Sequence, residues 1–347
     1  MNLEPQPAHP IDSRLTDAQL LERCANACQQ LKDQVARVVV GQSSVVDSML
    51  ITLLARGHAL LVGVPGLAKT LLVSQVARLL HLSFGRVQFT PDLLPADITG
   101  TDVLNETEVG SQLRREVRFM PGPIFHNLIL ADEINRTPPK TQAALLQAMQ
   151  EHCVTVGGKT HRLPAPFQVF ATRNPIEQEG TYPLPEAQLD RFLLEVHVDY
   201  PSRDEELEMA RRTTSGGLVE LAPIVSLQEV QAFGELVPRI PVTEEALKLA
   251  VNLARASRPG AAQAPKEVGQ YVRFGAGPRG TQALVIAAKA HAVLKGEAAA
   301  DLADVEAVAL AALRHRLVLS YRAEADRLTD GDIVACIANS CGCKLPD

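Results

Sequence analysis

Between about Val38 and Pro201, short apolar runs alternate with stretches in which apolar positions recur every three or four residues. The runs cover residues 58–62, 86–89, 128–131, 167–171 and 192–198, and three of them are almost continuously apolar, as strands buried on both faces are. That alternation predicts an α/β fold, a parallel sheet covered by helices on both faces. After Pro201 the strand signal nearly stops, and residues 204–212, 226–236, 243–256, 279–295 and 302–319 read at the helical period. The expected organisation is a helical or flexible N-terminal segment over 1–33, an α/β core over 34–201 and a helical domain over 202–347. Gly216, Gly217 and the Pro-, Gly- and Ala-containing stretch 257–280 read as the flexible connections.

Composition narrows the function classes. With 347 residues, 46% hydrophobic and 21% charged, the chain can bury a sizeable core and is neither disordered nor fibrous. Thirty-four Lys plus Arg against 40 Asp plus Glu gives a net charge of -6, so no global positive field collects polyanions. Aromatic residues are 4% with no Trp, which leaves few platforms for stacking bases, and nucleic acid is not the expected partner. No apolar run approaches the roughly 18 to 20 residues of a membrane span, and Met1 to Arg14 lack a basic-then-apolar layout. Those absences lead to an expected cytoplasmic location without membrane insertion. Six cysteines in so long a chain read as free thiols. Cys336, Cys341 and Cys343 could be soft metal ligands, but no His or second Cys pair follows at a zinc-site spacing.

Three stretches carry chemistry. Gly63-Val64-Pro65-Gly66-Leu67-Ala68-Lys69-Thr70 follows directly on the run ending at Val62 and leads into a helix-period segment over 71–80. In a strand–loop–helix of this kind the loop N–H groups and helix N-terminus cradle phosphates, the Lys reaches the terminal phosphates and the Thr hydroxyl ligates magnesium. The general pattern has Gly before the Lys. Ala68 stands there instead, tolerable provided its φ is negative. About sixty residues on, Leu128-Ile129-Leu130-Ala131 runs into Asp132-Glu133. Carboxylates at the carboxyl edge of a parallel sheet face the same crevice as the phosphate loop, where Asp132 can hold magnesium and Glu133 can polarise an attacking water. The third run, 167–171, leads through Thr172 and Arg173 to Asn174, whose amide can bond both a water and a phosphate oxygen.

These stretches, with Ile134-Asn135-Arg136 and the segment from Gly180 to Phe192, closely resemble the MoxR group of AAA+ ATPases. The match spans most of the first 200 residues. The resemblance implies an AAA+ P-loop NTPase core with a five-stranded parallel sheet, followed by an all-α lid domain. It also implies a ring, usually a hexamer, with ATP and Mg2+ between neighbouring subunits. Carried over residue by residue, it gives Lys69 and Thr70 the Walker A roles, Asp132 and Glu133 the Walker B roles, and Asn174 the place of sensor 1. Arg191 resembles the arginine finger that reaches the next subunit's γ-phosphate. Arg279, after Gly277-Pro278, resembles the sensor 2 arginine. Gly63, Val64, Pro65, Gly66, Leu67, Ala68, Lys69, Thr70 and Leu71 would line the nucleotide, with Val40-Gly41-Gln42 beside the adenine and Thr70 and Asp132 on the metal. Arg173 departs from the group's usual Gln and either tunes the pocket or points to solvent.

Residues 89–100 followed by 103–119 resemble the group's helix-2 insert, and 154–163 reads as a Gly-Gly hairpin. Such loops either project toward a pore or contact a neighbouring subunit. Lys159, His161 and Arg162 form the small basic cluster of the second. The implied function is Mg-dependent ATP hydrolysis in a ring, driving chaperone-like remodelling or maturation of protein complexes, with a protein client and a partner bearing a von Willebrand factor A domain. The alternatives are a nucleic-acid-dependent motor, a metal-chelatase motor subunit and a nucleotide switch without hydrolysis.

Overall fold

Thr16 starts the first helix. Its hydroxyl accepts from the Gln19 amide while its own N–H donates to the Gln19 side chain, so α1 (Asp17–Ala36) begins with first-turn donors satisfied. Leu20, Cys24, Ala27, Leu31 and Val35 form its buried stripe, whereas α2 (Ser43–Leu54) is apolar nearly all round and is buried accordingly. The computed structural model describes residues 15–109, 112–176, 180–214 and 221–346, so Gly216 and Gly217 lie outside it. The chain continues through β1 (Ala59–Val62), α3 (Lys69–Leu79), β2 (Phe84–Gln88), a one-turn α4 (Pro95–Thr99), β3 (Gly100–Val109), β4 (Gln112–Pro121) and β5 (Leu128–Asp132). Then come α5 (Pro139–Glu151), β6 (Cys153–Val156), β7 (Lys159–Arg162), β8 (Gln168–Arg173), α6 (Glu186–Leu189) and β9 (Leu194–His197).

Five strands pair in the order β2-β5-β8-β1-β9, all parallel. Successive side chains leave opposite faces of a strand, and both faces here are apolar. Leu61, Leu130 and Phe170 enter one cluster with Leu72, Val73 and Val76 of α3. Leu60, Ile129 and Val169 enter another with Leu145, Leu146 and Met149 of α5. Two antiparallel pairs are hairpins inserted between sheet strands. β3–β4 pairs residues 100–109 with 112–121, and β6–β7 turns at Gly157 and Gly158, both at positive φ. His161 of β7 stacks on Phe119 of β4 with ring centroids 3.8 Å apart, which locks the two inserts together.

The second half comprises α7 (Arg203–Thr214), α8 (Leu227–Leu236), α9 (Glu244–Ala256), α10 (Lys266–Tyr271), β10 (Val272–Phe274), α11 (Pro278–Lys295), α12 (Leu302–Leu313), β11 (Val318–Leu319), α13 (Tyr321–Ala325) and α14 (Asp330–Ser340). Three expectations need correction. Residues 257–280 are not simply a connection, because α10 and β10 lie there, with Val268 and Val272 buried. The helix read over 302–319 ends at Leu313, and a tight turn, Arg314–Arg316, leads into β11, antiparallel to β10. The cause is Arg316, whose buried guanidinium turns inward to donate to the carbonyls of Phe192, Leu193 and Ala312. A final helix, α14, was not foreseen, although Thr329 and Asp332 cap it reciprocally. The apolar cluster under α3 continues without a break through α9, α11, α12 and α14.

Candidate active site

The chain leaves β1 at Val62 and reaches α3 at Lys69 through a loop shaped by two left-handed residues, Gly66 at φ 88° and Ala68 at φ 55°. The negative φ required of Ala68 is therefore not found. Ala68 is the cap of α3, and only a left-handed turn there carries the loop from the strand into the helix. For an L-residue that conformation costs about 1 to 2 kcal/mol. Lys69 Nζ donates to the carbonyls of Gly63 (2.5 Å) and Val64 (2.9 Å). Partial burial holds the Lys69 pKa below its ordinary value, while Asp132 and Glu133 pull it upward.

Opposite the loop stand the carboxyl ends of β2, β5 and β8. Pro65 to Leu71 face Arg86, Gln88, Asp132, Glu133, Thr172 and Asn174 across a cavity of about 580 Å³. Asp132 Oδ1 accepts from Thr172 Oγ1 at 2.7 Å, and Asp132 Oδ2 lies 2.6 Å from Arg86 Nη2. Glu133 sits at φ 57°, its N–H donating to Thr172 Oγ1 at 2.8 Å, and its carboxylate accepts from Gln88 Nε2 at 2.8 Å and pairs with Arg136 at 3.2 Å. Asn174 is buried, with its Oδ1 accepting the Ile176 N–H. The donor set suits magnesium, since the Thr70 hydroxyl and the Asp132 carboxylate share this cavity and are the hard oxygens that ion prefers.

Sequence reasoning missed Arg86, Gln88 and Thr172. The signal was present, because Arg86 and Gln88 alternate with the buried Val87 at a strand's carboxyl end, where polar side chains of period two face one crevice. Arg173 neither joins this cavity nor simply points to solvent. It lies 3.8 Å from Glu195, a carboxylate only 1% exposed on β9, which also accepts from His197 Nε2 at 2.9 Å. Burial works to raise the Glu195 pKa, but the bond from His197 and the charge of Arg173 hold it below the ordinary value.

Val40, Gly41 and Gln42 are not among the residues lining the cavity. Gln42 donates to the Asp199 carbonyl, and Gly41, at φ 72°, abuts the Glu205 carboxylate. Arg191 and Arg279 lie apart from it too. They share a second cleft, of about 410 Å³, with Asp190 and Arg316. Arg191 Nη1 donates to the Leu146 carbonyl at 2.5 Å rather than pairing with its neighbour Asp190, which pairs with Arg316 at 2.9 Å and approaches Arg279 at 3.9 Å. One carboxylate thereby draws the lid arginine to the side of the core arginine. Among the described residues no group of three or more His, Cys, Asp or Glu is arranged to hold a metal, and all six cysteines are free. Burial pushes the Cys343 thiol up to about 11.

Residues 58–194 match the ATPase family associated with various cellular activities (AAA), and residues 264–337 match the AAA lid domain. The chain is 43% identical over 298 residues to Chaperone MoxR1 of Mycobacterium tuberculosis, covering 85% of this chain and 77% of that one. Protein MoxR of Paracoccus denitrificans is 33% identical over 326 residues, covering 89% and 92%. A crystal structure of a Cytophaga hutchinsonii protein superposes with a TM-score of 0.84 at 40% identity, covering 93% of this chain and 96% of that one.

Proposed function

The chain belongs to the MoxR family of AAA+ ATPases, and from that premise we propose that it hydrolyses ATP with magnesium in the cavity between the 63–71 loop and the strand ends. The loop N–H groups and the α3 N-terminus receive the phosphates, and Lys69 turns from its own loop carbonyls toward the terminal ones. Thr70 and Asp132 would hold the magnesium ion, whose charge, when bound, offsets that of the phosphates. Glu133 orients and polarises the attacking water, with Asn174 as the second polar contact. Val40 to Gln42, beside the 199–205 segment that follows β9, border the adenine.

The reading continues to a ring, a hexamer as in the family expectation, in which Arg191 and Arg279 serve the neighbouring subunit's nucleotide. Its work is chaperone-like remodelling or maturation of protein complexes in the cytoplasm, beside a von Willebrand factor A domain partner. The hairpins contact the client, and Leu104, Val117 and Met120 on β3 and β4 are more than half exposed, as a surface that grips unfolded segments requires.

One observation carries this reading: Lys69, Thr70, Asp132, Glu133 and Asn174 share one cavity while Arg191 and Arg279 share another. A site assembled from both needs two subunits. Glu133→Gln should keep ATP binding and lose turnover at least about 100-fold, the usual worth of a positioned base. Wild-type turnover by that variant would overturn the mechanism.

A further inference from the structure

The carboxylate assigned to the metal is already held by a cation of the chain itself. Arg86 and Gln88 lie on one face of β2, in register with Leu130 and Asp132 of β5, so the Arg86 side chain leans along the strand to meet Asp132. Its Nη2 is 2.6 Å from Asp132 Oδ2 and donates also to Gln88 Oε1 at 2.9 Å. Gln88 donates onward to Glu133, and Thr172 closes the ring by donating to Asp132 while accepting the Glu133 N–H. Both carboxylates are thus tied into one hydrogen-bonded circuit through Arg86.

The two ends of the ion pair differ in exposure. The Asp132 side chain is 14% exposed and fixed by Thr172, whereas the Arg86 side chain is 49% exposed. A fixed, sheltered carboxylate cannot move to suit a second cation, but a half-exposed guanidinium can leave, and its charge repels any other cation at the same oxygen.

We propose that Arg86 is a positioning residue that competes with the divalent cation for Asp132, sets the metal concentration at which the site becomes competent, and through Gln88 keeps Glu133 tied until then. This rests on the reading of Asp132 as the metal carboxylate. Arg86 acts through Asp132 and Gln88 and makes no contact with the nucleotide.

The test uses the full chain with a non-hydrolysable ATP analogue and Mn2+ as the metal probe, its binding followed by electron paramagnetic resonance. Arg86→Ala should bind Mn2+ about tenfold more tightly than the wild type, equivalent to about 1.4 kcal/mol. Arg86→Lys keeps the charge without the planar fork and should fall between the two. Analogue affinity without metal, in EDTA, should be the same in all three. Mn2+ affinity unchanged or weakened by Arg86→Ala overturns the proposal. Analogue affinity lost in EDTA overturns it also, because Arg86 would then be a phosphate ligand. If the wild type forms no Mn2+–nucleotide complex at all, the ATPase reading fails instead. Should Arg86→Ala melt before binding can be measured, Arg86→Gln, which keeps the bulk and removes the charge, gives the same discrimination.

Discussion

Ala68 carries a conformation that its side chain opposes. Gly at that position removes the Cβ penalty of a left-handed φ but gains backbone freedom when unfolded, so Ala68→Gly should raise stability by about 1 kcal/mol at most. Ala68→Val, with a branched Cβ at the same φ, should lower it by more than that and weaken ATP binding, both read by thermal melting with and without nucleotide. Two buried histidines give a second residue-scale prediction. His58 donates from Nε2 to the Met149 carbonyl and accepts the Val169 N–H at Nδ1, which fixes a neutral ring, and burial lowers its pKa to about 4. Burial, followed by the charge of Arg316, lowers that of His315 to about 3. Unfolded, each ring takes up a proton near 6.5. Their contribution is therefore complete above pH 6.5 and is lost as pH falls toward those values, by about 1.4 kcal/mol per pH unit for each ring. The urea midpoint should drop steeply between pH 6.5 and 4.5, and a flat course there would contradict the neutral assignment.

At the scale of elements, the inserted hairpins depend on close backbone approach. Gly100, at φ 92°, opens β3, and a Cβ there would lie 2.3 Å from the Met120 carbonyl oxygen and 2.6 Å from the Gly122 nitrogen. Gly100→Ala adds left-handed strain to overpacking against backbone that cannot swing aside, so it should cost about 3 kcal/mol. Hydrogen exchange should localise the loss to β3, β4 and α4, while the sheet stays protected. Whereas β2 alternates Arg86 and Gln88 with the buried Val87, most of the core strands were legible because they are short apolar runs ending in polar residues at one edge. α10 and β10 were not, because six- and three-residue elements hold too few apolar positions to establish a period. The end of α12 was hidden for a different reason. Past Arg314-His315-Arg316 the apolar spacing resumes at Leu317, four residues after Leu313, and the inward turn of Arg316 toward the 190–193 segment stops the helix.

Across the whole molecule, the phosphate cavity and the Arg191 and Arg279 cleft have separate linings, and on the proposed reading a neighbouring subunit must bring the two together for catalysis. Lys69→Ala and Arg191→Ala should each be nearly inactive alone, yet a mixture should recover measurable turnover, since one variant supplies an intact arginine and the other an intact phosphate loop. A mixture as inactive as its parts would place Arg191 outside the reaction. The sequence by itself determined the α/β core, the family, and the gathering of Lys69, Thr70, Asp132, Glu133 and Asn174, because each of these sits at a fixed offset from the end of an apolar strand. Parallel pairing brings all such ends to one edge. Tertiary structure alone decided the left-handed turn at Ala68, the ties of Asp132 to Arg86 and of Glu195 to Arg173, and the meeting of Arg279 with Arg191 through Asp190. Those contacts join residues 22 to 89 positions apart in sequence, between adjacent strands (β2 and β5), across an intervening strand (β8 to β9 over β1) or between lid and core, or depend on a backbone angle that residue type does not dictate, so no local pattern encodes them.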